Sequence, residues 1–122
     1  MLRAILSTLL CATLPLAAHA QATAMAPTAL TGTLAKVHQK GEVALAYRDS
    51  SLPFSYLDAR GKPIGYSIEL CKSIVHAMEV AVHKPLAIRW VPVTSATRFA
   101  AITSGQAALE CGSTTSNKER QQ

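Results

Sequence analysis

The sequence predicts an α/β fold: a mostly parallel sheet flanked by helices, with an initial hairpin. Three observations carry this. Short apolar runs at residues 43–47, 86–93 and 107–111 are separated by segments with helical spacing. Strands alternating with helices build a mostly parallel sheet through right-handed crossovers. Between the first run and the first helix, residues 54–56 and 64–66 flank the turn sequence DARGKP, the pattern of a hairpin. Finally, 122 residues give room for one small domain and exclude a large multidomain enzyme.

The first twenty residues stand outside that fold. Arg3 supplies a positive n-region, and residues 4–18 are apolar except for Ser7, Thr8, Thr13 and Pro15. Ala18-His19-Ala20 then offers small residues where a signal peptidase reads. Residues 1–20 therefore read as a secretory signal peptide cleaved before Gln21; Ala20-Gln21-Ala22 and Ala24-Met25-Ala26 allow a slightly later cut. The stretch is too short for a membrane anchor, and Pro15 interrupts it. Cys11 follows Leu9-Leu10 rather than the small residues of a lipoprotein signal. Residues 21–33, QATAMAPTALTGT, lack periodicity and read as a flexible leader.

Cleavage removes Cys11 and leaves Cys71 and Cys111. An even count in an exported chain reads as one disulfide; the alternative is a pair of buried free thiols. No second close pair of Cys or His accompanies them to complete a zinc site, and the sequence calls for no metal or cofactor.

Within the fold, residues 43–47 follow Gly41 as a buried strand, broken by Ser50, Ser51 and Pro53. After the hairpin, Ser67 is placed to cap a helix. Ile68, Cys71, Val75, Met78 and Val82 form its apolar stripe, widened by Leu70, Ile74 and Ala81, until Lys84-Pro85 ends it. Residues 86–93 form the next strand, with Pro92 marking a rim or edge. Thr94 or Ser95 caps a helix through residues 96–104, with Phe99 and Ile102 inward and Gly105 as the stop. Residues 107–111 are the third strand. A polar turn, residues 112–115, leads to a helix opened by residues 117–120.

In sheets of this kind ligands sit beyond the carboxyl ends of the strands. Arg48, Ser95, Arg98, Ser113, Thr115 and Arg120 all fall at or just after those ends. Fixed cations and hydroxyls converging on one rim suit a small anion, because guanidinium holds a carboxylate with paired hydrogen bonds. Taken singly, Arg48 and Arg98 would be solvated charges, and Ser113 and Thr115 turn and capping residues. A cation at Arg120, in a first helical turn, opposes the helix dipole and favours a functional reason. Phe54 and Tyr56 are placed to line a cleft; His76 and His83 read as solvated helix residues. The net charge of +5 is scattered from Lys36 to Arg120, not clustered with aromatics as a nucleic-acid surface requires. A composition 49% apolar and 16% charged excludes a wholly disordered chain.

Four segments resemble one family: VALAYRDSSLPFSY (43–56), KPIGYSIELC (62–71), VPVTSATR (91–98) and ECGSTTSNKER (110–120). They are similar to periplasmic amino-acid-binding proteins of ABC transporters (solute-binding family 3, polar amino acids), nearest to the glutamate/aspartate-binding subgroup. The likeness covers about residues 34–122 and implies a partial lobe of the type II periplasmic-binding-protein fold. It implies a periplasmic receptor for L-glutamate or L-aspartate, monomeric at full length, which serves an inner-membrane permease and catalyses nothing. By position, Arg120 would hold the α-carboxylate, with donors at Ser113 and Thr115. Arg48, Arg98 and Ser95 would surround the acidic side chain, and Cys71 and Cys111 would pair.

Two departures stand out. Family members carry an acidic residue where Ala108 stands here. The family fold is also a clamshell of two lobes, and this chain holds only the first stretch of lobe one, so residues 34–122 read as an incomplete lobe and an N-terminal fragment. Two other readings follow. One is a cyclohexadienyl-dehydratase-like enzyme on the same scaffold, which needs a general acid or base. Glu110 is the acidic candidate near the rim, Asp49 reads as a turn residue, and no histidine falls there. The other is a remnant without ligand function, since part of a lobe cannot close over a ligand.

Overall fold

A computed structural model describes residues 29–121. The signal-peptide reading, Cys11 and the leader as far as residue 28 lie outside the described residues. Element order is α1 (Gly32–Lys40), β1 (Glu42–Tyr47), β2 (Ser50–Ser51), β3 (Ser55–Leu57), β4 (Pro63–Ile64), α2 (Tyr66–Val82), β5 (Ala87–Pro92), α3 (Arg98–Thr103), β6 (Leu109–Cys111) and a 3-10 turn (Lys118–Arg120). No helix among the described residues is long and apolar enough to cross a membrane.

The parallel sheet runs β5-β1-β6. Its central strand has no polar face, which is why residues 43–47 are continuously apolar. Val43 and Leu45 are fully buried in one cluster with Ile68, Cys71, Val75 and Val82 of α2. Ala46 faces a second cluster of Val91, Val93, Ala101 and Ala107. The hairpin residues form a separate antiparallel sheet, β2-β3-β4. Cys71 and Cys111 are disulfide-bonded, with Cα atoms 6.1 Å apart, and tie α2 to the end of β6.

Several local expectations are corrected. Residues 29–33 are not wholly a flexible leader: Thr31 is the N-cap of α1 and Gly32 begins it. Leu30, Leu34 and Val37 lie at spacings of four and three and pack on the core; this burial stabilises a short helix that lacks a side-chain cap. Gly41 closes α1 in the left-handed region, φ 69°, its N–H donating to the Val37 carbonyl at 2.8 Å. Ser50 and Ser51 do not merely break the chain; they pair with β3.

Ser67 does not cap α2. The N-cap is Gly65, at φ 124°. A Cβ there would meet the Phe54 and Pro53 backbones, so only glycine fits this approach. Leu70 and Ile74 do not widen the buried stripe; they are 48% and 46% exposed, and Ala81 is exposed too. The sheet is covered through buried Ile68, Cys71, Val75 and Val82, with Met78 partly buried beside them. In the six-residue α3, Phe99 is exposed and Arg98 is buried instead, whereas Ile102 packs inward. Neither Thr94 nor Ser95 caps α3, whose N-cap is Thr97; the Thr94 hydroxyl instead holds the preceding turn, accepting from the Ala96 and Thr97 N–H groups at 3.2 Å each. Residues 118–120 form a single 3-10 turn, and the Asn117 side chain accepts from the Arg120 N–H at 3.1 Å.

Candidate ligand-binding site

β1, β5 and β6 are parallel, so their carboxyl ends share one rim. Arg48 follows β1, Ser95 and Arg98 follow β5, and Ser113, Thr115 and Arg120 follow β6. The rim is held by hydroxyls. Ser55, fully buried in β3, donates to the Arg48 carbonyl and accepts from the Arg48 N–H, both at 2.9 Å. This fixes the backbone that carries the Arg48 side chain. Ser51 and Ser113 share a hydrogen bond of 2.8 Å, which ties β2 to the loop after β6. If Ser51 donates, the Ser113 proton is left for a ligand. Ser67 donates to the Gly112 carbonyl at 2.7 Å and anchors that loop to α2.

The cations form two groups. Arg48 and Glu110 both flank Gly112: a Cβ there would meet the Glu110 carboxylate and approach Arg48 Cγ to 3.1 Å. Glu110 also accepts from the Thr114 hydroxyl at 2.8 Å. Arg98 and Arg120 each contact the same ring, their Cζ atoms 5.1 and 5.8 Å from the Phe99 centroid. Arg120 Nη1 also donates to the Thr115 carbonyl at 2.8 Å. Ser95 stands apart in an exposed turn, and no hydrogen bond joins its side chain to the others among the described residues.

Three buried side-chain polar atoms lack a protein partner among the described residues: Arg48 Nε, Arg98 Nε and Glu110 Oε1. All belong to this rim. An unpaired buried N–H is costly, and two guanidinium N–H groups in that condition suit an anion. No group of three or more His, Cys, Asp or Glu side chains among the described residues is placed to hold a metal ion.

Sequence reasoning missed Ser51, Ser55, Ser67 and Gly112 as supports of the rim. Ser55 had no readable signal: alternation with Phe54 and Tyr56 sets it on the opposite face from them and would send the aromatics, not the serine, inward. The Phe99 contact had no signal either, because it joins residues from separate segments.

The rim thus gathers arginines, hydroxyls and two unpartnered guanidinium N–H groups at the carboxyl ends of the parallel strands. The family model for bacterial extracellular solute-binding proteins, family 3, matches residues 43–122. The chain is 48% identical over 94 residues to the L-glutamate/L-aspartate-binding protein of Pseudomonas aeruginosa, covering 75% of this chain and 31% of that one. It is 42% identical over 103 residues to the glutamate/aspartate import solute-binding protein of Escherichia coli K12, covering 84% and 34% respectively. Among solved structures, the solute receptor for L-cysteine of Neisseria gonorrhoeae aligns with TM-score 0.62 at 27% identity, over 73% of this chain and 35% of that one. An ancestral cyclohexadienyl dehydratase shares the fold, with TM-score 0.64 at 22% identity, over 76% and 36%. The chain belongs to the bacterial extracellular solute-binding proteins, family 3. It spans about a third of the length of the curated relatives it matches.

Proposed function

We propose that residues 34–122 form part of the first lobe of a two-lobed periplasmic receptor for an acidic amino acid, L-glutamate or L-aspartate. One observation carries this: the buried, unpartnered Nε groups of Arg48 and Arg98 at the rim. Arg120, with donors from Ser113 and Thr115, takes the α-carboxylate. Arg48, Arg98 and Ser95 take the side-chain carboxylate. The work is hydrogen bonding and charge pairing, with no bond broken. Glu110, the carboxylate a dehydratase reading would need, accepts the Thr114 hydroxyl and serves the loop. The likeness to glutamate/aspartate-binding relatives supports the ligand class and delivery to an inner-membrane ABC permease; the N-terminal sequence ending in Ala18-His19-Ala20 supports export by a signal peptide cleaved before Gln21. As one wall of a cleft, this lobe binds weakly by itself, since closure by a second lobe supplies most contacts.

The test is a titration of the oxidised, isotope-labelled chain with glutamate, aspartate and glutamine, followed by amide shifts. Saturable shifts at Arg48, Arg98, Ser113 and Arg120 are expected, with acidic ligands ahead of glutamine and a Kd in roughly the millimolar range. Shifts elsewhere, or an equal response to glutamine, would refute the acidic-ligand site. Micromolar or tighter binding would refute the one-wall reading.

A further inference from the structure

Phe99 is 49% exposed at the edge of the rim. Its helix turns the ring outward while the neighbouring Arg98 is buried. Two guanidinium groups stand over this one ring, Arg98 Cζ at 5.1 Å and Arg120 Cζ at 5.8 Å from the centroid. Both lie inside the roughly 6 Å range in which a ring's negative face attracts a cation. The two arginines come from different segments, α3 and the turn at Lys118–Arg120. Among the described residues no hydrogen bond joins those segments, so the ring is their shared polar contact. Like charges brought together repel; the quadrupole of the ring offsets that repulsion before any ligand arrives.

We propose that Phe99 is a positioning residue of this site, its ring holding the Arg98 and Arg120 guanidinium groups together as the cation pair that receives a ligand with two carboxylates. The ligand half of this statement rests on the acidic-ligand reading above; the positioning half does not. An aliphatic side chain of similar bulk would fill the same space without the quadrupole. The pair would then separate, and a dicarboxylate would lose more than its monoamide, which meets only one of the two cations through a carboxylate.

The test compares the wild-type chain with Phe99→Leu and Phe99→Tyr. Affinity for glutamate should fall about 5- to 30-fold in Phe99→Leu, affinity for glutamine should fall less, and Phe99→Tyr should keep the wild-type ratio. Independently of any ligand, the δ-methylene protons of Arg98 and Arg120 should be shifted upfield by the ring in the wild-type chain and in Phe99→Tyr, and should return to ordinary values in Phe99→Leu. Wild-type affinities and ratio in Phe99→Leu, or no upfield shift in the wild-type chain, would overturn the proposal. If the wild-type chain prefers no acidic ligand, the acidic-ligand reading fails and the ligand half fails with it; the proton shifts still decide whether the ring positions the two arginines.

Discussion

Replacing Arg98 with Met should stabilise the ligand-free chain while weakening its binding of acidic ligands. Arg98 is 8% exposed, yet its Nε has no partner and no ion pair involves it among the described residues. Leaving a buried donor unsatisfied costs about 1–3 kcal/mol. Met keeps a flexible apolar stem of similar reach and removes the donor. The substitution forfeits the contact with the Phe99 ring, worth about 0.5–1 kcal/mol at a half-exposed site. The balance favours the variant by roughly 1 kcal/mol, a rise in Tm of about 4–8 °C for a domain of this size. Thermal and urea unfolding of the oxidised, ligand-free chains measure it, and glutamate titration gives the binding side. A variant less stable than the wild type by about 1 kcal/mol or more would refute the reasoning, because it would show the buried guanidinium to be well satisfied in the folded chain.

The other expectations are simpler. Reducing the Cys71–Cys111 bridge, which spans a sequence separation of 40, should cost about 4 kcal/mol on the loop-entropy model; equal urea midpoints with and without reductant would contradict this. Ser55→Ala removes both hydrogen bonds that clamp the Arg48 backbone and should cost about 1–3 kcal/mol, whereas the exposed Ser50→Ala should stay within about 0.5 kcal/mol. Glu79 accepts the Leu86 N–H at 2.9 Å. That bond, partly opposed by burial and helped by His76, holds its carboxyl below the ordinary glutamate value. A carboxylate with a lowered folded pKa stabilises the fold above its unfolded pKa, and the contribution disappears as pH falls through the folded value. Glu79→Gln should therefore flatten the acid limb of stability against pH, and an unchanged limb in urea melts would argue against the Leu86 contact.

The legible parts of the fold are those where one face of one element decides the pattern. Val43 and Leu45 announce a buried strand because both sides of β1 meet apolar neighbours. Ile68, Cys71, Val75 and Val82 announce α2 because the helix has a single buried stripe. The errors arise where a neighbouring element decides. Leu70 and Ile74 have the spacing of core residues, but nothing among the described residues packs on that side of α2. Ser67 has the chemistry of a cap, but the loop carbonyl of Gly112 takes its hydroxyl. Phe99 has the chemistry of a core residue, but its ring is half exposed and contacts two guanidinium groups. Helix α1 is hidden because Thr31, Gly32 and Thr33 separate Leu30, just before it, from its inward Leu34 and Val37. At the candidate site, chain order along a parallel sheet was enough to place all six residues at one end. Which of them touch, and the separateness of Ser95, are set by rotamers and turns that spacing does not encode.

The position of β1 in the sheet has a consequence for how the chain reaches this structure. The middle strand is the earliest in sequence, and both its neighbours come much later: Glu42 pairs with Ala87, and Leu45 with Leu109. Neither of its hydrogen-bonding edges can be satisfied by a local hairpin. The chain must close two long loops around an apolar ribbon that is already made and already exposed. Such non-local pairing is slow, and the waiting strand is open to wrong partners. The rim with its arginines is built from the ends of these distant strands, so it forms only once both long loops have closed.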